Sequence, residues 1–149
     1  MSESIEINLN NKEIERKLLE LSKKGQDLRP LMKNIAGIFA YSAEENFKDE
    51  GRPDKWQDLS KTTKEKRKKK GHWPGSILQV EGKLAASIST DYDENSAVIG
   101  SNLEYAAIHQ LGGDAGRNKK TKIPARPYLK LTEADQQEIL DETMKYFQG

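Results

Sequence analysis

The chain has no cysteine. That excludes a disulfide framework, a thiolate metal site and a cysteine nucleophile. Histidine occurs only at 72 and 109, without H-x3-H or HExxH spacing, so a metal would have to draw both histidines and several carboxylates together from distant positions. No apolar run approaches the roughly 18 residues that a membrane-spanning helix needs. The opening MSESIEINLNNKEIERK lacks the basic-then-apolar order of a signal peptide, so the expectation is a chain made and kept in the cytosol until it is used. Apolar residues are also few, 34% against 33% charged. Such a balance suits a small domain with much exposed surface, or one completed by neighbouring subunits. The 149 residues bound the chain to about one domain, 1–149, with a modest core.

What is present is unevenly distributed charge. The net value is +1, yet residues 61–75 carry seven basic side chains and one acidic, and residues 112–126 carry five and one. The acidic excess lies in the segments between and around them. The two basic blocks are also the parts least like packed structure, and 51–76 and 112–122 read as long, flexible loops. Within the first, 62–70 could form a transient charged helix, and Trp56 and Leu59 are the points at which it would be ordered.

Periodicity supplies the remaining elements. Ile5, Ile7 and Leu9 alternate as a half-buried strand does. Asn10 or Asn11 can cap a helix with Ile14, Leu18 and Leu21 on one face, ending near Gly25. Asp27 reads as the cap of a longer helix with Pro30 in its first turn and Met32, Ile35, Ala36, Phe39, Ala43 and Phe47 as its core stripe. A short helical or turn segment from 77 leads into a strand through Ile88, a turn at DYDEN and a return strand AVIGS. Ile88, Thr90 and Tyr92 then face Val98 and Gly100. Thr132, with Asp135 three residues on, caps a last helix striped by Ile139, Leu140, Met144 and Phe147.

The fold class is therefore α+β: an N-terminal strand and two helices packed on a small antiparallel sheet from about 4–9, 86–92 and 96–101, with long basic loops, extended pieces around 123–129 and a C-terminal helix. The expected core is Ile35, Phe39, Phe47, Leu84, Ile88, Val98, Ile99, Tyr105, Ile108, Leu129 and Leu140.

Two stretches invite chemistry. In YAAIHQLGG, residues 105–113, a catalytic His109 needs an orienting partner and a nucleophile or metal, and the sequence offers only Asp114 nearby. The plainer reading has His109 and Gln110 hydrogen-bonding backbone at a corner, Tyr105 and Ile108 packing inward, and Gly112 and Gly113 permitting the turn. A subunit contact is the third reading. In IPARPYL, residues 123–129, Pro124 and Pro127 make a rigid strap that delivers Tyr128 and Leu129 to the core. Arg126 between them is either solvated or clamps an acidic group; the fixed strap favours the clamp.

WQDLSKTT (56–63), ILQVEGKLAASI (77–88), AVIGSNLEYAAIHQLGG (97–113) and IPARPYLKLTEAD (123–135) together resemble the phage virion morphogenesis, or tail-completion, family of contractile-tailed and Mu-like phages and prophages. The motif positions are Trp56, Leu59, Ser60, Thr63, Gly82, Leu84, Tyr105, Ala106, His109, Gln110, Gly112, Gly113, Pro124, Ala125, Arg126 and Pro127. The resemblance implies a non-enzymatic virion protein at the head-proximal end of the tail, assembled in the host cytoplasm, with no cofactor and no catalytic set to transfer. It also implies copies of itself as partners, in a ring that the symmetry of phage tails makes six-fold, beside tail-tube and neck or portal proteins.

Partner contacts are expected at Trp56, Lys64, Lys66, Arg67, Lys68, Lys69, Lys70, Trp73, Arg117, Lys119, Lys120 and Arg126. The lysines face the DNA path, acidic protein surfaces, or simply solvent. Two other functions compete: a sequence-nonspecific nucleic-acid module using 61–73, where cations precede an aromatic, and a hydrolase built on His109 and Asp114.

Overall fold

The computed structural model describes residues 11–71, 75, 83–101, 103, 106–115 and 121–147. Its centre is α2, Arg29–Lys48, whose buried stripe runs from Leu31, Met32 and Ile35 through Ile38 to Ala43 and Phe47. α1, Lys12–Lys23, packs against α6, Glu133–Lys145, and places Ile14 and Leu21 in the core cluster that the first half of α2 lines. α6 adds Ile139 to the same cluster. Each shorter helix is started by its own sequence: the Asn11 side chain accepts from the Ile14 N–H, and Thr132 and Asp135 form a reciprocal capping box. A cap of this kind contributes about 1 kcal/mol.

Asp27 does not cap α2 as its sequence suggested. Leu28 holds the cap position without a side-chain bond, while the Asp27 carboxylate accepts from the Arg29 N–H two residues on. The reason is local: an aspartate can close such a turn on its own backbone and so compete with helix capping. At the other end Glu50 takes a left-handed φ of 54°, and the Glu50 and Gly51 amides donate to the carbonyls of Phe47 and Asn46, the paired bonds that close a helix on itself.

Of the remaining elements, α3 is Lys61–Lys69, α4 is Lys83–Ser87, β1 is Ser89–Tyr92, β2 is Ala97–Gly100, α5 is Ala106–Leu111, β3 is Gly113–Ala115 and β4 is Thr121–Ile123. α2 also meets the β1–β2 hairpin, and the end of its stripe, Ala43 and Phe47, enters a second cluster. Phe47 stacks on Tyr128, with centroids 5.4 Å apart, and meets Trp56 edge-on at 5.9 Å. Around this aromatic trio Ala43, Leu84, Ala106 and Leu129 are buried. The architecture is α+β, as expected, with the strands in two separate antiparallel pairs, β1–β2 and β3–β4, among the described residues.

Two expectations change. β1 and β2 pair Thr90 with Ile99, Asp91 with Val98 and Tyr92 with Ala97, so Ile99 and Ala97, not Val98 and Gly100, share the packed face with Thr90 and Tyr92. A one-residue shift of register exchanges the two faces of a strand, and Val98 is accordingly 47% exposed. Within 51–76 the helix allowed at 62–70 is present at 61–69, and Trp56, one of the two points where order was expected, is buried. The segment 112–122 is held at both ends by the β3–β4 pairing of Gly113 with Ile123, Asp114 with Lys122 and Ala115 with Thr121.

Of the expected core, Ile35, Phe47, Leu84 and Leu129 are buried, and Phe39, Ile88, Ile99 and Leu140 pack against it partly exposed. The strand expected at 4–9, Tyr105 and the side chain of Ile108 lie outside the described residues.

Candidate functional site

The strap and the corner are one construction. Pro124 and Pro127 lack amide hydrogens and hold their predecessors extended. The remaining buried amide N–H groups need acceptors from elsewhere in the chain. The Gln110 side-chain oxygen accepts from both the Tyr128 and Leu129 N–H groups, each at 2.9 Å. The Arg126 N–H donates to the His109 carbonyl at 2.8 Å, and the Tyr128 hydroxyl donates to the Ala106 carbonyl at 2.6 Å. Positive φ at Gly112 and Gly113, 74° and 144°, lets the chain leave α5 at once for β3. The Gln110 side chain thus bonds backbone at the corner, as the plainer reading expected of it, and His109 joins through its carbonyl.

Arg126 is a clamp, but on backbone. It is 6% exposed, and its Nε and Nη2 donate to the carbonyls of Gln57 and Asp58 at 2.9 and 3.3 Å. The expected acidic group is present only as a longer-range attraction to Asp58. Trp56 is turned inward too: it is buried against Phe47, and its Nε1–H donates to the Pro127 carbonyl. Both residues were expected at partner contacts. The cause of the difference is that loop 56–58 lies under the strap, so its carbonyls and its indole are satisfied within the chain.

The clamp fixes the start of α3. Ser60 caps this helix by accepting from the Thr63 N–H, and Lys64 reaches back to the Asp58 carboxylate at 2.7 Å. That hydrogen bond, then the bond from the Leu59 amide, holds the Asp58 carboxyl below the usual range. Arg67 and Lys64 are half-buried, whereas Lys66, Lys68, Lys69 and Lys70 are exposed. Burial lowers the pKa of Arg67 against an opposing pull from Glu50, and Arg126 is lowered by burial and then by Arg67. Guanidinium groups stay charged under such shifts. His109 is lowered by burial, then by Arg126 and Arg67.

A neutral imidazole beside two guanidinium groups makes a testable pH dependence. Near pH 6 the unfolded chain binds the His109 proton more readily than the folded one. Stability is therefore full above the unfolded value of about 6.5 and declines as pH falls toward the lowered folded value. Thermal melts between pH 7.5 and 5.5 should fall with acid for the wild type and be flatter for His109→Gln. An equal slope in both would place the proton uptake elsewhere.

Sequence reasoning missed a polar knot beneath the strap. Asn46 is fully buried; its Nδ2 donates to the Tyr128 and Lys130 carbonyls at 2.8 and 2.9 Å, and its Oδ1 accepts from Arg52 Nε. Arg52 Nη2 lies 3.0 Å from both Asp135 Oδ2 and Ser42 Oγ. The Ser42 hydroxyl also donates to Asp135 Oδ2 at 2.7 Å. Burial alone raises the Asp135 pKa, but bonds from Thr132 and Ser42 and the charge of Arg52 outweigh it and leave the carboxyl below its ordinary value. The available signal was that Ser42 and Asn46 fall on the same stripe of α2 as Phe39, Ala43 and Phe47.

Among the described residues, no three His, Cys, Asp or Glu side chains converge as metal ligands, and no helix is long and apolar enough to cross a membrane. His72, Trp73, Gly82, Arg117, Lys119 and Lys120 lie outside the described residues, as does the side chain of Asp114. Leu84 is buried in the cluster that contains the aromatic trio.

The profile of the phage virion morphogenesis family matches residues 9–148. Over 145 residues, covering 97% of this chain and 96% of the relative, the sequence is 41% identical to Mu-like prophage FluMu G protein 2 of Haemophilus influenzae. FluMu G protein 1 of the same organism is 38% identical over 131 residues, 85% of this chain and 84% of that one. Protein G of Escherichia phage Mu, whose name assigns it to capsid assembly, is 39% identical over 121 residues, 78% of each chain. No solved structure matches the chain.

Proposed function

The chain belongs to the phage virion morphogenesis family, and from that premise we propose that it completes the head-proximal end of a phage tail as an oligomeric ring and makes the tail competent to join the head. A phage structural and assembly role comes directly from the family and its Mu-like relatives. The finer reading rests on one observation. The side chains of the motif residues Gln110, Arg126 and Tyr128 spend their hydrogen bonds on the chain's own backbone, and the His109 carbonyl accepts from the Arg126 N–H. They build a rigid body, and they form no acid, base and nucleophile set. A protein made this way acts through its surface, by contact with copies of itself and with tail-tube and neck or portal proteins. The family is one of morphogenesis, and in this reading the protein is not an enzyme.

The test combines the mass of the purified protein, alone and with tails blocked before completion, with electron microscopy of the tail ends. A ring on the head-proximal end and restored joining to heads are expected. A protein that stays monomeric and ignores tails overturns the reading. Lost joining activity in His109→Ala combined with Asp114→Asn, with stability unchanged, would instead support a hydrolase.

A further inference from the structure

The exposed face of α3 is the strongest charged feature of the described surface. Helix geometry sorts its cations into two sets, because residues about 100° apart in sequence order place 63, 64 and 67 on one side. Those three, Thr63, Lys64 and Arg67, are the half-buried ones, and Lys64 is engaged by Asp58. Lys61, Lys66, Lys68 and Lys69 project outward with Thr62 and Glu65, and Lys70 follows at the helix end; all are exposed. α3 buries no residue of its own, so its core contacts do not explain its composition.

Like charges three and four residues apart, such as Lys64 with Lys68 and Lys66 with Lys69 and Lys70, each cost about 0.2–0.5 kcal/mol in an isolated helix. The Ser60 cap and the cations in the last turn offset part of this. A polyanion laid along the outward face removes the repulsion. That face has no aromatic or aliphatic side chain. Protein interfaces draw their affinity from apolar, aromatic and arginine anchors and are depleted in lysine, so a protein partner has little to grip here. A phosphate backbone needs only cations at a suitable spacing. Lys61 to Lys69 span about 12 Å of helix, and a duplex strand presents a phosphate about every 3.4 Å along its axis, so three or four phosphates lie within reach.

We propose that the outward face of α3, Lys61, Lys66, Lys68, Lys69 and Lys70, binds the phosphate backbone of duplex DNA without sequence choice. The site goes beyond the assembly role and is measured independently of it. It narrows the basic run of the sequence by removing Lys64 and Arg67, which are turned toward the body of the protein.

The test is fluorescence anisotropy of the full chain on a labelled duplex of mixed sequence over a range of salt. Binding should weaken with salt, with a log–log slope of about −3. Lys66→Gln/Lys68→Gln/Lys69→Gln should lower affinity at least tenfold and flatten the slope by two or more, while the corresponding Lys→Arg variant keeps both. Helicity should rise with DNA in the wild type and not in the glutamine variant. Lys12→Gln/Lys23→Gln/Lys33→Gln, exposed on α1 and α2, is the control. An equal loss in that control, no binding by the wild type, or binding to polyglutamate in place of the duplex each overturns the proposal. Tails that are still completed by a protein that ignores DNA would leave the assembly reading standing alone.

Discussion

Gly51→Ala should cost roughly 3–5 kcal/mol of folding stability. Gly51 sits at φ +111°, and a Cβ there would lie 2.5 Å from the Asp54 carbonyl, 2.6 Å from the Trp56 amide nitrogen and 2.8 Å from its Cδ1. Two of these atoms are backbone, so relief requires moving the loop. That loop carries Arg52 into the polar knot and Trp56 into the aromatic cluster. Urea unfolding should show a lower midpoint with an unchanged slope, and Trp56, packed edge-on to Phe47, should report the change in fluorescence. Gly25→Ala is the contrast: φ is also positive there, at +73°, but nothing lies within 4 Å of the added atom. Its cost should be about 1 kcal/mol, from the backbone alone. Equal losses for the two variants would show that crowding at Gly51 is not the cause.

Asn46→Leu should cost roughly 3 kcal/mol although it exchanges side chains of similar size. The substitution leaves the Tyr128 carbonyl without the Asn46 amide, leaves the Lys130 carbonyl only its 3.3 Å bond from Ser42, and removes the acceptor of Arg52 Nε. Each buried polar group so stranded costs about 1–3 kcal/mol, and Asn46 is 0% exposed, which limits water as a substitute. Asn34→Leu on the same helix is the control, since that amide is exposed and makes a single long bond to Glu142; a change within about 0.5 kcal/mol is expected there. The Asn46 variant should also loosen the strap, read as faster amide exchange at Tyr128 and Leu129. Wild-type stability and exchange in Asn46→Leu would mean that the Gln110 bonds alone hold the strap in place.

The parts that were legible in the sequence are those governed by neighbours along the chain. Ile14, Leu18 and Leu21 announced α1, and Asn11 its cap. Thr132 with Asp135 announced the start of α6. Pro124 and Pro127 announced the strap, and the glycine pair at 112 and 113 the corner. Where two local solutions compete, the reading slipped. Asp27 closes a turn on Arg29 where a helix cap was expected, and the β1–β2 register places Val98 outward, because strand periodicity does not say which face a small hairpin buries.

By itself, then, the sequence determined the periodic helices, their caps, the strap, the absence of thiol chemistry and, through four ordered motifs, the family. These depend on interactions over a few residues or on the order of residue types. Only the tertiary structure decided which polar residues are internal. Arg126 and Trp56 look like contact residues until loop 56–58 is seen beneath the strap. Ser42, Asn46, Arg52 and Asp135 become one network only when α2, the loop after it and α6 converge. Likewise the lysine run becomes a surface with a direction only when Lys64 and Arg67 turn inward and leave the others facing water. A buried polar group must find a partner wherever the fold supplies one, and for these residues that partner lies tens of positions away along the chain.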